Sequence, residues 1–112
     1  MIQITDEYMN DMLKTTRPYT VVILRATTKR NEPGADQIVW EHGRRNFVLR
    51  RDGRLCIVCP ATDEGNVSGL YIFNTDVDET RKIMDEDPAV RSGIFRYDIH
   101  SVRSFPGDSL AK

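Results

Sequence analysis

A histidine and an asparagine lie in the middle of a predicted apolar helix face. Residues 35–52 have helical periodicity, and at about 100° per residue one side of that helix carries Ile38, His42, Asn46 and Leu49. Polar side chains in such a stripe need partners, because an unpaired buried donor or acceptor costs about 1–3 kcal/mol. Two interpretations follow: a core histidine bonded to a backbone carbonyl, or one wall of a polar cavity.

If the helix borders a cavity, His42 has the chemistry of a general base. Burial lowers the pKa of a histidine in general and a nearby carboxylate raises it, so the two together favour proton transfer near neutrality. Asp87 is the candidate carboxylate. Its local sequence also has a structural interpretation, because Asp followed by Pro88 is typical of a helix N-cap and first turn. The residues alone favour the cap.

The two cysteines, Cys56 and Cys59, spell C-x-x-C inside a predicted strand. Residues three apart on a strand are about 10 Å apart and point to opposite faces. That separation exceeds the roughly 7 Å limit for a disulfide, and it prevents both thiols from converging on one zinc ion. We therefore expect buried thiols and no metal site, with Cys59 able to border the cavity.

The last predicted strand carries a second polar set. Arg96, Asp98 and His100 share one of its faces, while Tyr97 and Ile99 share the other. Alternation of this kind usually means that one side of the strand meets water, which favours a solvated face. The alternative is that Arg96 and His100 bind a substrate at the rim of the cavity.

The elements that must position these residues follow the order helix, then β-α-β-β-α-β. This order predicts an α+β fold of the ferredoxin-like type, with a four-stranded antiparallel sheet and helices on one face. The predicted helices span residues 4–14, 35–52 and 78–85, and the predicted strands span residues 19–26, 55–59, 70–74 and 94–105. Three strands are apolar on both faces, so we expect a second copy of the chain to cover the bare side of the sheet.

Length and composition restrict the class of protein. The 112 residues fit one domain, and we expect an N-terminal helical extension at 1–18, an α+β domain at 19–105 and a tail at 106–112. A net charge of −1 argues against a nucleic-acid partner. The longest apolar run, Val21 to Leu24, is far shorter than the about 20 residues of a membrane span. Two cysteines are too few for a secreted disulfide scaffold, which favours the cytoplasm.

From Tyr19 to about Phe105 the sequence resembles the YCII-related (YciI-like) family of the dimeric α+β barrel superfamily. The resemblance rests on TVVILRA, EHGRRNFVLRRDGRLCIVCP, GLYIFNTDVDETRKIM and above all DEDPAVRSGIF. The last segment resembles the family signature Asp-Pro-x-Val-x-x-Gly-x-Phe. Val39 stands where the family often has arginine, Cys59-Pro60 replaces the usual Gly-Pro, and the N-terminal helix is an addition.

The resemblance implies a homodimer formed through the sheets and a pocket lined by the histidine and aspartate that match His42 and Asp87. One similar group removes chloride from chlorinated hydroxyquinols. We therefore expect a small cofactor-free enzyme of lyase, isomerase or dehydrochlorinase type, with His42 as base and Asp87 orienting it. The candidates for binding its small, hydroxylated, aromatic substrate are Asn46, Cys59, Arg96 and His100. The alternative is a noncatalytic dimeric domain that binds a small ligand or serves as an accessory module.

Overall fold

The computed structural model describes residues 2–112 as an α+β fold with one four-stranded sheet. Its strands are β1 (Arg17–Ala26), β2 (Leu55–Pro60), β3 (Val67–Phe73) and β4 (Phe95–Ser104). Its helices are α1 (Asp6–Leu13), α2 (Ala35–Arg51), α3 (Val77–Asp85) and α4 (Pro88–Arg91), and a single 3-10 turn spans Thr28–Asn31. This order confirms the predicted fold class.

The sheet is antiparallel throughout, with the strand order β2-β3-β1-β4. The apolar strand β1 is central and pairs with β3 on one side and with β4 on the other. Its residues Thr20, Val22 and Leu24 are buried beneath the helices. The residues between them point to the other side, where Val21 pairs with Ile72 of β3. We call the side that faces away from the helices the outer sheet face.

Helix α2 lies on the covered side of the sheet and buries Ala35, His42 and Leu49. It ends where the sequence predicts, because Gly53 takes a positive φ of 79° that glycine adopts without strain. The Gly53 N–H donates to the Arg50 carbonyl and the Arg54 N–H to the Leu49 carbonyl. These two bonds satisfy the last carbonyls of the helix and turn the chain toward β2.

Helix α1 precedes the sheet and has no buried residue. Thr5 caps it by accepting a hydrogen bond from the Tyr8 N–H at 3.1 Å. Its apolar side chains, among them Met9 and Leu13, are therefore exposed in the isolated chain. Among residues 2–112, no helix is both long enough and apolar enough to cross a membrane.

Candidate functional site

Asp87 caps α4 and contacts His42 with the same carboxylate. Its Oδ2 accepts hydrogen bonds from the backbone N–H groups of Ala89 at 3.0 Å and Val90 at 3.2 Å. Its Oδ1 lies 2.8 Å from His42 Nδ1. The helix cap and the contact with His42 therefore do not exclude each other, because each uses a different oxygen of the carboxylate.

The contact with Asp87 determines the tautomer of His42. A carboxylate oxygen accepts hydrogen bonds and does not donate them, so Nδ1 must carry the ring proton. In the neutral ring Nε2 is then an acceptor. The Tyr71 hydroxyl lies 2.9 Å from Nε2 and donates to it. The histidine thus has a proton-accepting nitrogen that faces away from its carboxylate.

Tyr71 comes from β3 and completes a polar cluster with His42, Asn46 and Asp87. Asn46 Nδ2 lies 3.4 Å from the Tyr71 hydroxyl and 3.3 Å from His42 Nε2. Burial raises the pKa of Tyr71 to about 12, the hydrogen bond from Asn46 opposes this rise, and the charge of Asp87 adds to it. Tyr71 therefore stays protonated and remains a hydrogen-bond donor at ordinary pH.

The His42–Asp87 contact is shielded from water. His42 is 5% exposed and Asp87 is 1% exposed, and the Phe95 ring packs edge-on against the imidazole with the ring centres 5.2 Å apart. The closest positive charge to the carboxylate is that of Arg45, whose Nη1 lies 3.7 Å from Asp87 Oδ1. Charge interactions are strengthened where water is excluded, so the buried carboxylate interacts with both the imidazole and the Arg45 guanidinium.

A cavity of about 680 Å³ opens beside this cluster, between α2, the sheet and the C-terminal tail. His42, Asn46 and Tyr71 supply polar groups to its wall. The remaining wall is mostly apolar and includes Leu24, Val39, Phe47, Val58 and Phe95. This volume lies in the range of small-molecule pockets, which combine apolar walls with a few convergent polar groups.

The structure brings together three of the six sequence-predicted site residues: His42, Asp87 and Asn46. Their catalytic and binding roles stay predictions. Cys59 pairs with Leu70 and is not among the residues that line the cavity. Cys56 lines the cavity instead, because it lies two residues before Val58, which pairs with Tyr71 on the cavity side of the sheet.

The expectation that both thiols are buried is wrong. Cys56 and Cys59 are free and exposed. The physical reason is the position of β2, which within residues 2–112 is an edge strand that pairs with β3 on one side and has no strand on the other. An apolar strand sequence does not distinguish an edge from the centre of a sheet.

Arg96 and His100 do not meet the cavity beside His42, which corrects their predicted place at its rim. Phe95, Tyr97 and Ile99 belong to the packed side of β4, so the residues between them lie on the outer sheet face. On that face the Arg25 guanidinium lies 2.7 Å from Asp98, and this hydrogen bond holds the pKa of Asp98 below its usual range.

Tyr71 is the member of the cluster that the sequence argument does not identify. A signal for it exists. Tyr71 precedes the apolar Phe73 by two positions on a strand, so both side chains point to the same, buried side. A buried tyrosine usually finds a partner for its hydroxyl. In residues 2–112 no three histidine, cysteine or acidic side chains group closely enough to hold a metal ion.

No protein-family model and no curated protein matches the chain. Among solved structures, one that it resembles is 5-chloro-2-hydroxyhydroquinone dehydrochlorinase (TftG) from Burkholderia phenoliruptrix AC1100, in complex with 2,5-dihydroxybenzoquinone. The TM-score is 0.52 at 13% identity, over 73% of this chain and 90% of the dehydrochlorinase. At this identity the likeness shows a shared α+β fold.

Proposed function

We propose that the chain is a small enzyme in which His42 acts as general base on a small hydroxylated aromatic or quinone-like substrate. The observation that carries this proposal is the buried contact of 2.8 Å between His42 Nδ1 and Asp87 Oδ1 beside an apolar cavity of about 680 Å³. A satisfied core histidine needs no such cavity. The likeness to a dehydrochlorinase with a bound dihydroxybenzoquinone supports the substrate class.

The proton-transfer step follows from the tautomer of His42. A substrate hydroxyl that reaches Nε2 transfers its proton there, and the electron pair of the O–H bond stays on the substrate oxygen. Asp87 accepts a hydrogen bond from Nδ1 throughout and stabilises the resulting imidazolium. The substrate oxyanion is then ready for isomerisation or for elimination of a leaving group, as in a dehydrochlorination.

Tyr71 and Asn46 have the positions of oxyanion-stabilising groups. In the structure the Tyr71 hydroxyl donates to Nε2. A substrate hydroxyl that takes over that contact leaves Tyr71 able to donate to a neighbouring substrate oxygen. Its raised pKa keeps it protonated for this role. Donors fixed in advance around a developing negative charge lower the barrier because they need no reorganisation.

The test compares the two histidines of the chain. Chloride release from a chlorinated hydroxyquinol is measured for the wild type, for His42→Gln and for His100→Gln. We expect His42→Gln to lower kcat at least about 100-fold, the usual contribution of a general base. His100→Gln is the matched control on the outer sheet face, and its rate stays at the wild-type value.

A noncatalytic ligand-binding or accessory domain is the competing function. It predicts that dihydroxybenzoquinone binds with equal affinity to the wild type and to His42→Gln, with no turnover by either. Binding without turnover across a panel of halogenated and unhalogenated hydroxyquinols would therefore contradict the enzyme proposal.

A further inference from the structure

Helix α2 carries a polar stripe that runs from the buried end of the cavity to its exposed mouth. His42, Asn46 and Arg50 follow one another at intervals of four residues, and all three line the cavity. Four residues advance a helix by about 6 Å and turn it by about 40°. The stripe therefore spans about 12 Å along the helix axis from His42 to Arg50, and it turns progressively toward solvent.

The last member of the stripe, Arg50, forms no ion pair within residues 2–112. His42 and Asn46 are both tied to the Tyr71 hydroxyl. Arg50 itself is exposed. Between the two ends of the stripe the wall is apolar, with Val39 and Phe47 on the helix and Val58 on the sheet.

These features specify a ligand with two different ends. Its body must be apolar, and one end must carry an oxygen that hydrogen-bonds to the His42 and Tyr71 cluster. The other end lies beside Arg50, whose planar guanidinium presents paired donors that match a carboxylate. We infer that Arg50 is a specificity residue that selects a small hydroxylated aromatic acid over a neutral analogue. This inference rests on the proposed function because it uses the same cavity.

The C-terminal tail places an opposing charge in the same cavity. Asp108 lines the cavity, as Ser109 and Leu110 do. A carboxylate at this position repels an anionic ligand, whereas Arg50 attracts it. Removing Arg50 should therefore weaken the binding of an anionic ligand, and removing the charge of Asp108 should strengthen it. These opposite effects test the inference.

The test measures the binding of two probes by isothermal titration calorimetry. The probes are para-hydroxyphenylpropionate and its primary amide, which share the ring and the hydroxyl and differ in charge. We expect the wild type to prefer the acid about fivefold, the upper range for an exposed ion pair. In Arg50→Gln this ratio falls to one or below, since the amide binds as before and the acid loses the attraction of Arg50 while Asp108 still repels it. In Asp108→Asn the ratio rises above the wild-type value.

Arg51→Gln is the matched control, because Arg51 is the next residue of α2, is equally charged and does not line the cavity. Its acid-to-amide ratio stays at the wild-type value. An unchanged ratio in Arg50→Gln overturns the role of Arg50, and equal affinity or no affinity of the wild type for the two probes overturns the ligand class. These results concern binding alone, so they are distinct from a failure of His42-dependent turnover.

Discussion

Asp87 is the single residue that links the start of helix α4 to the candidate site. Oδ2 holds the first turn of α4 and Oδ1 holds His42. Because the cap fixes the carboxylate from one side, the orientation of the imidazole depends on the local fold of the Asp-Pro segment. One side chain therefore makes both the cap and the contact with His42, and two different substitutions can separate these two contributions.

Asp87→Asn keeps a side chain that caps helices well, whereas Asp87→Ala removes both the cap and the partner of His42. We expect Asp87→Ala to lower the free energy of unfolding by about 2–4 kcal/mol, the sum of a lost cap and an unpaired buried donor. Asp87→Asn loses about 1 kcal/mol less. Under the proposed function both variants lose activity, because neither an amide nor a methyl group supplies the carboxylate charge. Urea denaturation checks the stabilities, and equal losses would contradict the dual role.

Tyr71 makes the free energy of unfolding fall as the pH becomes alkaline. Its folded pKa of about 12 exceeds the ordinary value of 10.0, so between these values the folded state binds more protons than the unfolded state. The associated stability is fully present below pH 10, and it is lost as the pH rises toward about 12. We expect Tyr71→Phe to flatten the fall in unfolding free energy across this range.

Tyr97 is the control for this measurement. Its pKa is also raised to about 12, through burial and through the hydrogen bond of 2.6 Å that its hydroxyl donates to Asp85. It lies nearer the surface, where solvent screens such interactions. Tyr97→Phe therefore flattens the pH profile less than Tyr71→Phe does. The opposite order would show that the buried cluster is not the main source of the alkaline sensitivity.

Individual elements differ in how far the sequence determines them. The periodicity of α2 and the glycine after it predict both its extent and the inward direction of His42. Strand β1 starts at Arg17, earlier than predicted, because Arg17 and Pro18 pair with β4 alone, where a proline is tolerated. The cysteines of β2 could not be placed, since the pattern of an apolar strand is the same at an edge and in the centre of a sheet.

The site was predictable only where local pattern sufficed. The helix periodicity places His42, and the family resemblance supplies Asp87. Tyr71 and the outward position of Arg96 depend on which side of each strand faces the helices. Side chains alternate along a strand, so an uncertainty of one residue in register exchanges the two faces. The sequence alone does not remove that uncertainty.

Helices α2 and α1 should differ sharply in their contribution to stability. Leu49 of α2 is 4% exposed and Leu13 of α1 is 41% exposed. We expect Leu49→Ala to destabilise the chain by about 2–4 kcal/mol, because it leaves a cavity in the core. The identical change Leu13→Ala costs less than about 0.5 kcal/mol. A large loss in Leu13→Ala, measured by urea denaturation, would show that α1 packs against something absent from the single chain.

The whole molecule has one covered and one uncovered sheet face. Helices pack on one side, while the outer sheet face carries a central apolar strip to which Val21, Ile23 and Ile72 contribute. Leu70 on the same face is 39% exposed. Arg25 and Asp98 pair at one side of this strip. A sheet that buries only one of its faces leaves apolar side chains in water. The sequence pattern predicts that a second copy of the chain packs on the outer sheet face and buries them.

A charge placed on this strip tests the homodimer directly. We expect the wild type to sediment as a dimer at micromolar concentration and Ile72→Lys to sediment as a monomer, because an unpaired ammonium in an apolar interface is poorly solvated. Val48→Lys is the matched control, since Val48 is an exposed aliphatic residue on α2, away from the strip. It adds the same charge and should leave the dimer intact. The side chains of Ile72 and Tyr71 point to opposite faces of the sheet, so the Ile72→Lys monomer should keep its fold and its tyrosine titration. A wild type that sediments as a monomer would contradict the predicted assembly.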